Sequence, residues 1–286
     1  MKPKSGGKFI SYLPVEEILF LYSQGLSTSK IAKKFGCSVT HVNYLRRKHG
    51  LPPRNRTDLN HNIFDIIDTE EKAYWLGFFT ADGCINTGRN KHRISLQLQA
   101  IDYQHVYKFR QFLGAGSKVY CGGNPDGSTR LEAHSPRIVL ALSSYGVTPR
   151  KTFTATSAVC LFNPELHRHY WRGFIDGDGT IVLSGKQPRI KLYGTLDVVK
   201  SFRDFCNTLC PTRADVYRAD SIFCFGVSSK PAFSTVGRAL YDDSNIFLNR
   251  KKRKFYSMLS EYGEYRFDMI NANRIQKRKD SIDGGM

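Results

Sequence analysis

The feature that most constrains this chain is a nine-residue pattern that occurs twice. Its two copies read Trp75-Leu-Gly-Phe-Phe-Thr-Ala-Asp82-Gly83 and Trp171-Arg-Gly-Phe-Ile-Asp-Gly-Asp178-Gly179. Each copy is an apolar stretch that ends in an aspartate followed by a glycine. A pattern repeated in this way predicts two equivalent units, which bring Asp82 and Asp178 together about a pseudo-two-fold axis.

Small residues recur four positions apart within each copy. This spacing places them on one helix face, where a second backbone is able to approach closely. A glycine inside a helix costs about 1 kcal/mol relative to alanine, so the pattern favours direct packing of the two motif helices. The glycine after each aspartate is expected to adopt the left-handed conformation that ends a helix. These residues are Gly77, Ala81 and Gly83 in the first copy, and Gly173, Gly177 and Gly179 in the second.

Two aspartates at the C-terminal ends of touching helices repel each other and the negative ends of the helix dipoles. A bound divalent cation would remove both sources of instability. Because the available ligands are oxygens, Mg²⁺ (or Mn²⁺) is expected rather than zinc. A calcium loop that starts at Asp176 is disfavoured, since its twelfth position is Gln187 and such loops require glutamate there.

The segments after the two aspartates show the same order of periodicities. Two alternating stretches precede a helical stretch, two strand-like segments and a second helix. The sequence Phe109-Arg-Gln-Phe112 in the first round matches Phe202-Arg-Asp-Phe205 in the second. The fold class predicted is therefore α+β, with two pseudo-symmetric αββαββα repeats. The predicted helices span 102–113, 135–145, 196–209 and 231–241, and the later strands lie near 117–121, 129–133, 213–217 and 221–227.

The motif, its spacing and the order of predicted elements after each copy together resemble the LAGLIDADG homing endonucleases in their single-chain, two-repeat form, over residues 60–260. The resemblance implies that the motif helices pack centrally and that the two sheets form a DNA-binding saddle. It also implies that Asp82 and Asp178 hold the metals of a site-specific double-strand DNA endonuclease, which hydrolyses phosphodiester bonds. Thr80 stands where the second copy has Asp176. In the family this first acidic position is mainly structural.

The resemblance further implies polar and basic residues around the metals. By position these are Gln99, Lys151, and Lys251 or its neighbour Arg250, while Thr195 stands where Gln99 would recur. The alternative for each is a solvated polar side chain. Polar residues of the strands are expected to contact base edges in the major groove. The residues concerned are Arg93, Ser95, Gln97, Arg189 and Lys191.

Residues 14–50 predict three short helices separated by glycines, with Ser27 or Thr28 and Ser38 as N-caps. Their spacing resembles the helix-turn-helix of resolvase-like and sigma-like DNA-binding domains. The alternative is a plain three-helix bundle without a nucleic-acid role. On the helix-turn-helix interpretation, the third helix would present five residues to the major groove: Thr40, His41, Asn43, Tyr44 and Arg47.

The charge distribution favours a polyanionic partner, which we expect to be double-stranded DNA. The formal net charge is +18, with eleven Lys or Arg against three acidic residues in 1–60 and ten against four in 250–280. No segment approaches the ~20 apolar residues that span a membrane. The predicted segments are a helix-turn-helix domain (1–52), a linker (53–62), repeat 1 (63–155), repeat 2 (156–262) and a basic tail (263–286).

Two other functions fit part of the pattern. An intron RNA maturase with this fold would bind RNA through the basic saddle without needing both carboxylates. A helix-turn-helix transcription regulator with an inactive repeat pair would likewise not need Asp82 and Asp178. The nuclease hypothesis further predicts a monomer, since the second repeat supplies what a partner subunit would. Its expected location is the cytoplasm, with the nucleoid, of a bacterium or phage-infected host, or an organelle matrix.

Overall fold

The computed structural model describes residues 14–23, 26–51, 59–88, 92–116, 119–121, 127–149, 154–185 and 187–262. The chain divides into two compact units, Met1–Arg56 and Thr57–Met286. In the described residues no helix is both long enough and apolar enough to cross a membrane. The predicted basic tail, most of the predicted linker and Lys151 lie outside the described residues.

The first unit contains the three predicted helices: α1 (Val15–Ser23), α2 (Thr28–Phe35) and α3 (Val39–Lys48). The side chains of Ser27 and Ser38 accept hydrogen bonds from the backbone N–H groups of Lys30 and His41, which caps α2 and α3. Gly36 ends α2 with φ 63°, a conformation that favours glycine. The small core consists of Ile18, Tyr22, Ile31, Ala32, Val42 and Leu45.

The first repeat of the second unit follows the predicted order. It comprises α4 (Glu70–Asp82), β1 (Gly83–Asn86), β2 (Arg93–Leu98), α5 (Tyr103–Phe112), β3 (Val119–Cys121), β4 (Thr129–His134) and α6 (Pro136–Ser144). The four strands form an antiparallel sheet in the order β1-β2-β4-β3. Alternate residues of β2 and β4 are buried beneath the helices, and the others lie on the opposite face of the sheet.

The second repeat has the same order and topology. It comprises α7 (His167–Gly177), β5 (Thr180–Ser184), β6 (Gln187–Gly194), α8 (Leu196–Leu209), β7 (Tyr217–Ala219), β8 (Ile222–Val227) and α9 (Lys230–Tyr241), and a further helix, α10 (Asn249–Tyr262), follows it. Its sheet has the order β5-β6-β8-β7. The α+β fold with two αββαββα repeats, predicted from the sequence, is therefore confirmed.

Two details differ from the prediction. The strand expected near 213–217 begins only at Tyr217, because residues 212–216 are irregular and side chains hydrogen-bond their backbone N–H groups. The basic segment that begins at Asn249, for which no secondary structure is predicted from the sequence, is a helix, α10. Its buried side chains recur at helical spacing, but the charges between them conceal this periodicity in the sequence.

The two motif helices, α4 and α7, pack on each other through their small residues. A Cβ atom added to Gly77 would overlap the carbonyl oxygen of Tyr170, and one added to Gly173 would overlap that of Tyr74. The two clashes are reciprocal, as a pseudo-two-fold axis between the helices requires. The close backbone approach predicted from the spacing of small residues is confirmed.

The prediction that the glycines after the two aspartates adopt the left-handed conformation is wrong. Neither Gly83 nor Gly179 has a positive φ; Gly83 is extended, with φ −71° and ψ 159°. These positions instead lack space for a side chain. A Cβ atom on Gly83 would overlap the ring of Phe79, and one on Gly179 would lie 2.6 Å from the backbone of Ile175.

The pseudo-symmetry extends to the aromatic core. The ring of Trp75 lies 4.8 Å from Phe109 and 6.0 Å from Phe112, measured between centroids. The equivalent distances from Trp171 are 5.2 Å to Phe202 and 6.3 Å to Phe205. The matching Phe-x-x-Phe sequences therefore place α5 and α8 against their motif helices in the same way.

Candidate active site

Asp82 and Asp178 lie at matching places, where α4 and α7 end side by side. Asp82 is the last residue of α4, Asp178 follows the last residue of α7, and both are exposed. A Cβ atom added to Gly177 would lie 3.4 Å from Oδ2 of Asp82. The carboxylate of Asp82 therefore rests against the end of the partner helix, one residue from Asp178. The structure brings the two predicted carboxylates to one place.

The donor atoms at this place suit a hard divalent cation. The two side chains offer only oxygen, and Gly177 lets the end of α7 pack against α4, since a Cβ atom there would overlap Cβ of Ala81. Among the residues that the structure describes, no three His, Cys, Asp or Glu side chains cluster as a closed metal site. Additional ligands would have to be water or substrate phosphate, which is the ligand pattern of Mg²⁺ rather than of structural zinc.

Lys251, in the first turn of α10, lies directly beneath the end of α7. Its Nζ donates hydrogen bonds to the carbonyl oxygens of Ile175, Gly177 and Gly179, at 2.7, 2.8 and 2.7 Å. Only 6% of the residue is exposed. Burial lowers the pKa of Lys251 to about 8, against the opposing attraction of the carboxylates of Asp176, Asp82 and Asp178.

Asp176 is fully buried and joins three parts of the second unit. Its carboxyl group accepts hydrogen bonds from the hydroxyls of Tyr74 and Tyr241, at 2.9 and 2.7 Å, and from the backbone N–H of Leu248 at 2.7 Å. Burial raises its pKa, and these hydrogen bonds act in the opposite direction. At the equivalent position of repeat 1, the Thr80 hydroxyl donates to the carbonyl of Leu76 within its own helix.

Gln99 and Arg250 both contact Asp102. Gln99 is exposed just after β2, and its backbone carbonyl accepts the N–H of Asp102 at 2.9 Å. The Nε of Arg250, on α10, donates to Oδ2 of Asp102 at 2.8 Å. The helix that follows repeat 2 is thereby attached to repeat 1, close to Gln99.

Thr195, at the position equivalent to Gln99, has a structural role. Its hydroxyl caps α8 by accepting the N–H of Val198 and donates to the carbonyl of Ala155 at 2.7 Å. A cavity of about 310 Å³ lies beside Asp178 and is bordered by Thr195 and Tyr193. The two halves of the site are therefore not equivalent around their carboxylates.

The helix-free faces of the two sheets carry the predicted polar residues. In repeat 1 the side chain of Gln97 is exposed, and its amide donates to Ser128 at 2.8 Å. In repeat 2, Lys191 lies opposite Gly226, whose missing side chain leaves room for the lysine stem. All the predicted strand residues lie on these faces and alternate along their strands with buried residues that face the helices: Arg93, Ser95, Gln97, Arg189 and Lys191.

Sequence reasoning missed Arg130 and Glu132, which share the same face of the first sheet. Glu132 pairs with Arg93 at 3.0 Å and also with Arg130. The alternation of β4 was a sufficient signal for their orientation, but nothing in the sequence specified the pairing of β4 with β2. An ion pair between the buried Arg172 and the half-buried Glu70, at 2.6 Å, was also missed because the two residues lie far apart in the chain.

In the first unit, α3 exposes part of the predicted DNA-binding set. Thr40, Tyr44 and Arg47 are exposed, whereas His41 and Asn43 are half-buried. Arg46 is buried and donates to the carbonyl of Leu51 at 2.8 Å, so this arginine is occupied within the fold.

Among the known proteins compared with this chain, similar ones were found only among solved structures. No family model and no curated protein matches the chain. The LAGLIDADG meganuclease I-AabMI bound to uncleaved DNA is 14% identical, with a TM-score of 0.46 over 74% of this chain and 98% of that one. I-CpaMI bound to uncleaved DNA is 13% identical, with a TM-score of 0.47 over 72% and 93%.

The homing endonuclease I-SmaMI bound to cleaved DNA is also similar, at 13% identity and a TM-score of 0.48 over 77% of this chain and 97% of that one. The two αββαββα repeats and paired motif helices of this chain are the arrangement that the resemblance to LAGLIDADG homing endonucleases implies.

Proposed function

We propose that this protein is a site-specific DNA endonuclease that makes double-strand breaks with a divalent metal. The observation that supports this most strongly is the meeting of Asp82 and Asp178 at the ends of two touching helices. Two exposed carboxylates in this position repel each other and the helix dipoles. A bound divalent cation would offset this repulsion.

Mg²⁺ (or Mn²⁺) is the proposed metal, with Asp82 and Asp178 as its protein ligands. When bound, it would supply Lewis-acid stabilisation of the charge that develops on the scissile phosphate. Asp82 and Asp178 would hold this cation between the two repeats, so that each strand of one duplex would be cleaved next to one of two related halves of the chain. Gln99, Lys151 and Lys251 stay predicted contributors to the reaction. A monomer is proposed as the acting form.

The two sheet faces are the proposed surfaces for the DNA major groove. Arg93 and Arg130 are held by one carboxylate, Glu132, and guanidinium groups fixed in this way suit guanine edges and phosphates. The exposed face of α3 is proposed as a second DNA contact through Thr40, Tyr44 and Arg47, with His41 and Asn43 beside them. A second contact on the same chain would raise the affinity by tethering.

The first experiment is cleavage of a randomised or genomic DNA library with Mg²⁺, with EDTA and the double variant Asp82→Asn/Asp178→Asn as controls. Discrete double-strand breaks that disappear in both controls would support the proposal. Tight DNA or RNA binding without cleavage, unchanged in the double variant, would overturn it. RNA binding would then favour the maturase hypothesis and duplex binding the regulator.

The proposed location follows from the substrate alone. A DNA endonuclease would act with the nucleoid in the cytoplasm of a bacterium or phage-infected cell, or in an organelle matrix. Fractionation of the host followed by immunodetection would test this.

A further inference from the structure

The three hydrogen bonds of Lys251 involve the peptide groups on both sides of Asp178. The carbonyls of Gly177 and Gly179 immediately precede and follow the Asp178 residue, and the carbonyl of Ile175 belongs to the last turn of α7. The carbonyl of Ile175 also accepts the backbone N–H of Gly179 at 3.0 Å, while Gly177 is the last residue of α7 and Gly179 lies beyond it. Lys251 donates one hydrogen bond to each of these three carbonyls.

The geometry leaves the ammonium group of Lys251 no hydrogen to offer a substrate. An ammonium carries three N–H donors, and the three distances of 2.7, 2.8 and 2.7 Å assign one donor to each carbonyl. The residue is 6% exposed. A direct contact with a phosphate oxygen would require at least one of these hydrogen bonds to break.

A second contact fixes the position of α10 relative to α7. The N–H of Leu248, just before α10, donates to the buried carboxyl of Asp176 at 2.7 Å. The N–H of Lys251 in turn donates to the carbonyl of Leu248 at 3.0 Å. The lysine stem therefore starts from a point that is anchored to the same motif helix whose end its ammonium holds.

We propose that Lys251 is a positioning residue, which fixes the backbone on both sides of Asp178 and thereby the direction of that carboxylate. This inference rests on the proposed function and deepens it, because it assigns Lys251 to the orientation of a metal ligand rather than to contact with the phosphate. Residues that orient metal ligands commonly change metal affinity by about 10- to 100-fold when they are replaced.

The variants Lys251→Met and Lys251→Arg separate the two roles. Methionine keeps the length of the side chain without donors, and arginine keeps the charge, but its planar fork does not match three convergent carbonyls. Lys252→Met is the matched control, because Lys252 is next on α10 and donates to Ser244 instead. The measurements are the Mg²⁺ concentration for half-maximal single-turnover cleavage, the rate at saturating Mg²⁺, and Mn²⁺ binding to the protein–DNA complex by electron paramagnetic resonance.

The expected result is a metal midpoint and an Mn²⁺ dissociation constant raised about 10-fold or more in both Lys251 variants. The rate at saturating Mg²⁺ should recover to near that of the Lys252→Met control. If the ammonium of Lys251 instead contacted the phosphate directly, metal binding would be unchanged in both variants. Lys251→Met would then cleave slowly at all Mg²⁺ concentrations, and Lys251→Arg would restore the rate. That outcome would overturn the positioning role.

A measurement on the unmodified protein covers the case in which Lys251→Met fails to fold. Nitrogen-15 NMR should show the Lys251 ammonium as a slowly exchanging signal that persists when DNA and Ca²⁺ are added. Loss of the protected signal on addition of DNA and Ca²⁺ would show that Lys251 leaves its carbonyls and would sink the inference. Absence of cleavage by the unmodified protein would count against the proposed function alone, since the NMR and Mn²⁺ readouts do not depend on cleavage.

Discussion

Gly77 and Gly173 show how single residues determine the central packing of the repeats. Each lies where the backbone of the other motif helix passes, so that any side chain would overlap a carbonyl oxygen. Glycine is unfavourable in a helix by about 1 kcal/mol, and here that cost is offset by the close approach. Because the approach of α4 to α7 also brings Asp82 beside Gly177, packing at these glycines is coupled to the geometry of the site.

The variants Gly77→Ala and Gly173→Ala are each expected to lower the free energy of unfolding by about 1–3 kcal/mol, because backbone must move to admit the methyl group. Chemical denaturation of the full chain measures this. Gly194→Ala is the matched control, since its nearest neighbour would lie 3.7 Å from the new Cβ atom. Equal stability of Gly77→Ala and Gly194→Ala would contradict the packing described.

At the scale of elements, a buried chain of hydrogen bonds links α5, α4 and α7. The Tyr74 hydroxyl donates to Asp176 at 2.9 Å, so the contact of 2.8 Å between Tyr74 and His105 requires Nε2 of His105 to be the donor. His105 also packs on the rings of Trp75 and Phe78, 4.8 and 4.7 Å between centroids. Burial, with a smaller effect of Lys108 and Arg250, lowers the pKa of His105 to about 3.

The low pKa of His105 predicts loss of stability in acid. The unfolded chain binds a proton at this residue below its ordinary pKa of 6.5, whereas the folded chain does so only near 3. Stability should therefore fall as the pH decreases from 6.5 towards 3, by up to ~1.4 kcal/mol per pH unit for this one residue. His169, whose pKa burial lowers to about 4, adds to the loss in the same range.

The variant His105→Gln isolates this contribution, because glutamine keeps an N–H donor for Tyr74 and does not titrate. Unfolding free energies of both proteins between pH 4 and 7 give two curves, and their difference removes the effects of His169 and Asp176. The slope should be smaller in His105→Gln. Parallel curves would show that His105 is not buried in its neutral form.

Elements with strong periodicity could be predicted from the sequence, and elements dominated by charge could not. The helix expected at 196–209 is α8, because apolar residues recur along it at helical spacing. α10 was missed because its buried Lys251 and Phe255 stand among exposed basic residues. The sequence named Asp82, Asp178 and Lys251, but the hydrogen bonds of Lys251 depend on how α10 folds back on α7, which no local pattern specifies.

At the scale of the whole molecule, the first unit is predicted to contribute affinity rather than catalysis. The full-chain variants Tyr44→Ala and Arg47→Ala are expected to weaken DNA binding and to leave the single-turnover cleavage rate at saturating protein unchanged. Loss of one phosphate contact at Arg47 should reduce the slope of log affinity against log salt by about 1. Fluorescence anisotropy at several salt concentrations measures this, with Ser23→Ala on α1 as the control.

Unchanged affinity and salt slope in both α3 variants would favour the plain three-helix bundle over the helix-turn-helix. A fall in the cleavage rate at saturating protein would instead mean that the first unit takes part in the reaction itself.

We propose that one carboxylate from each repeat serves a single cleavage site. Single-turnover cleavage of an identified target by Asp82→Asn and Asp178→Asn separately tests this, with the exposed Asp204→Asn as the matched control. Each motif variant should bind the target and lose double-strand cleavage by about 100-fold or more, while Asp204→Asn cuts normally. Normal double-strand cleavage by either motif variant would contradict the account.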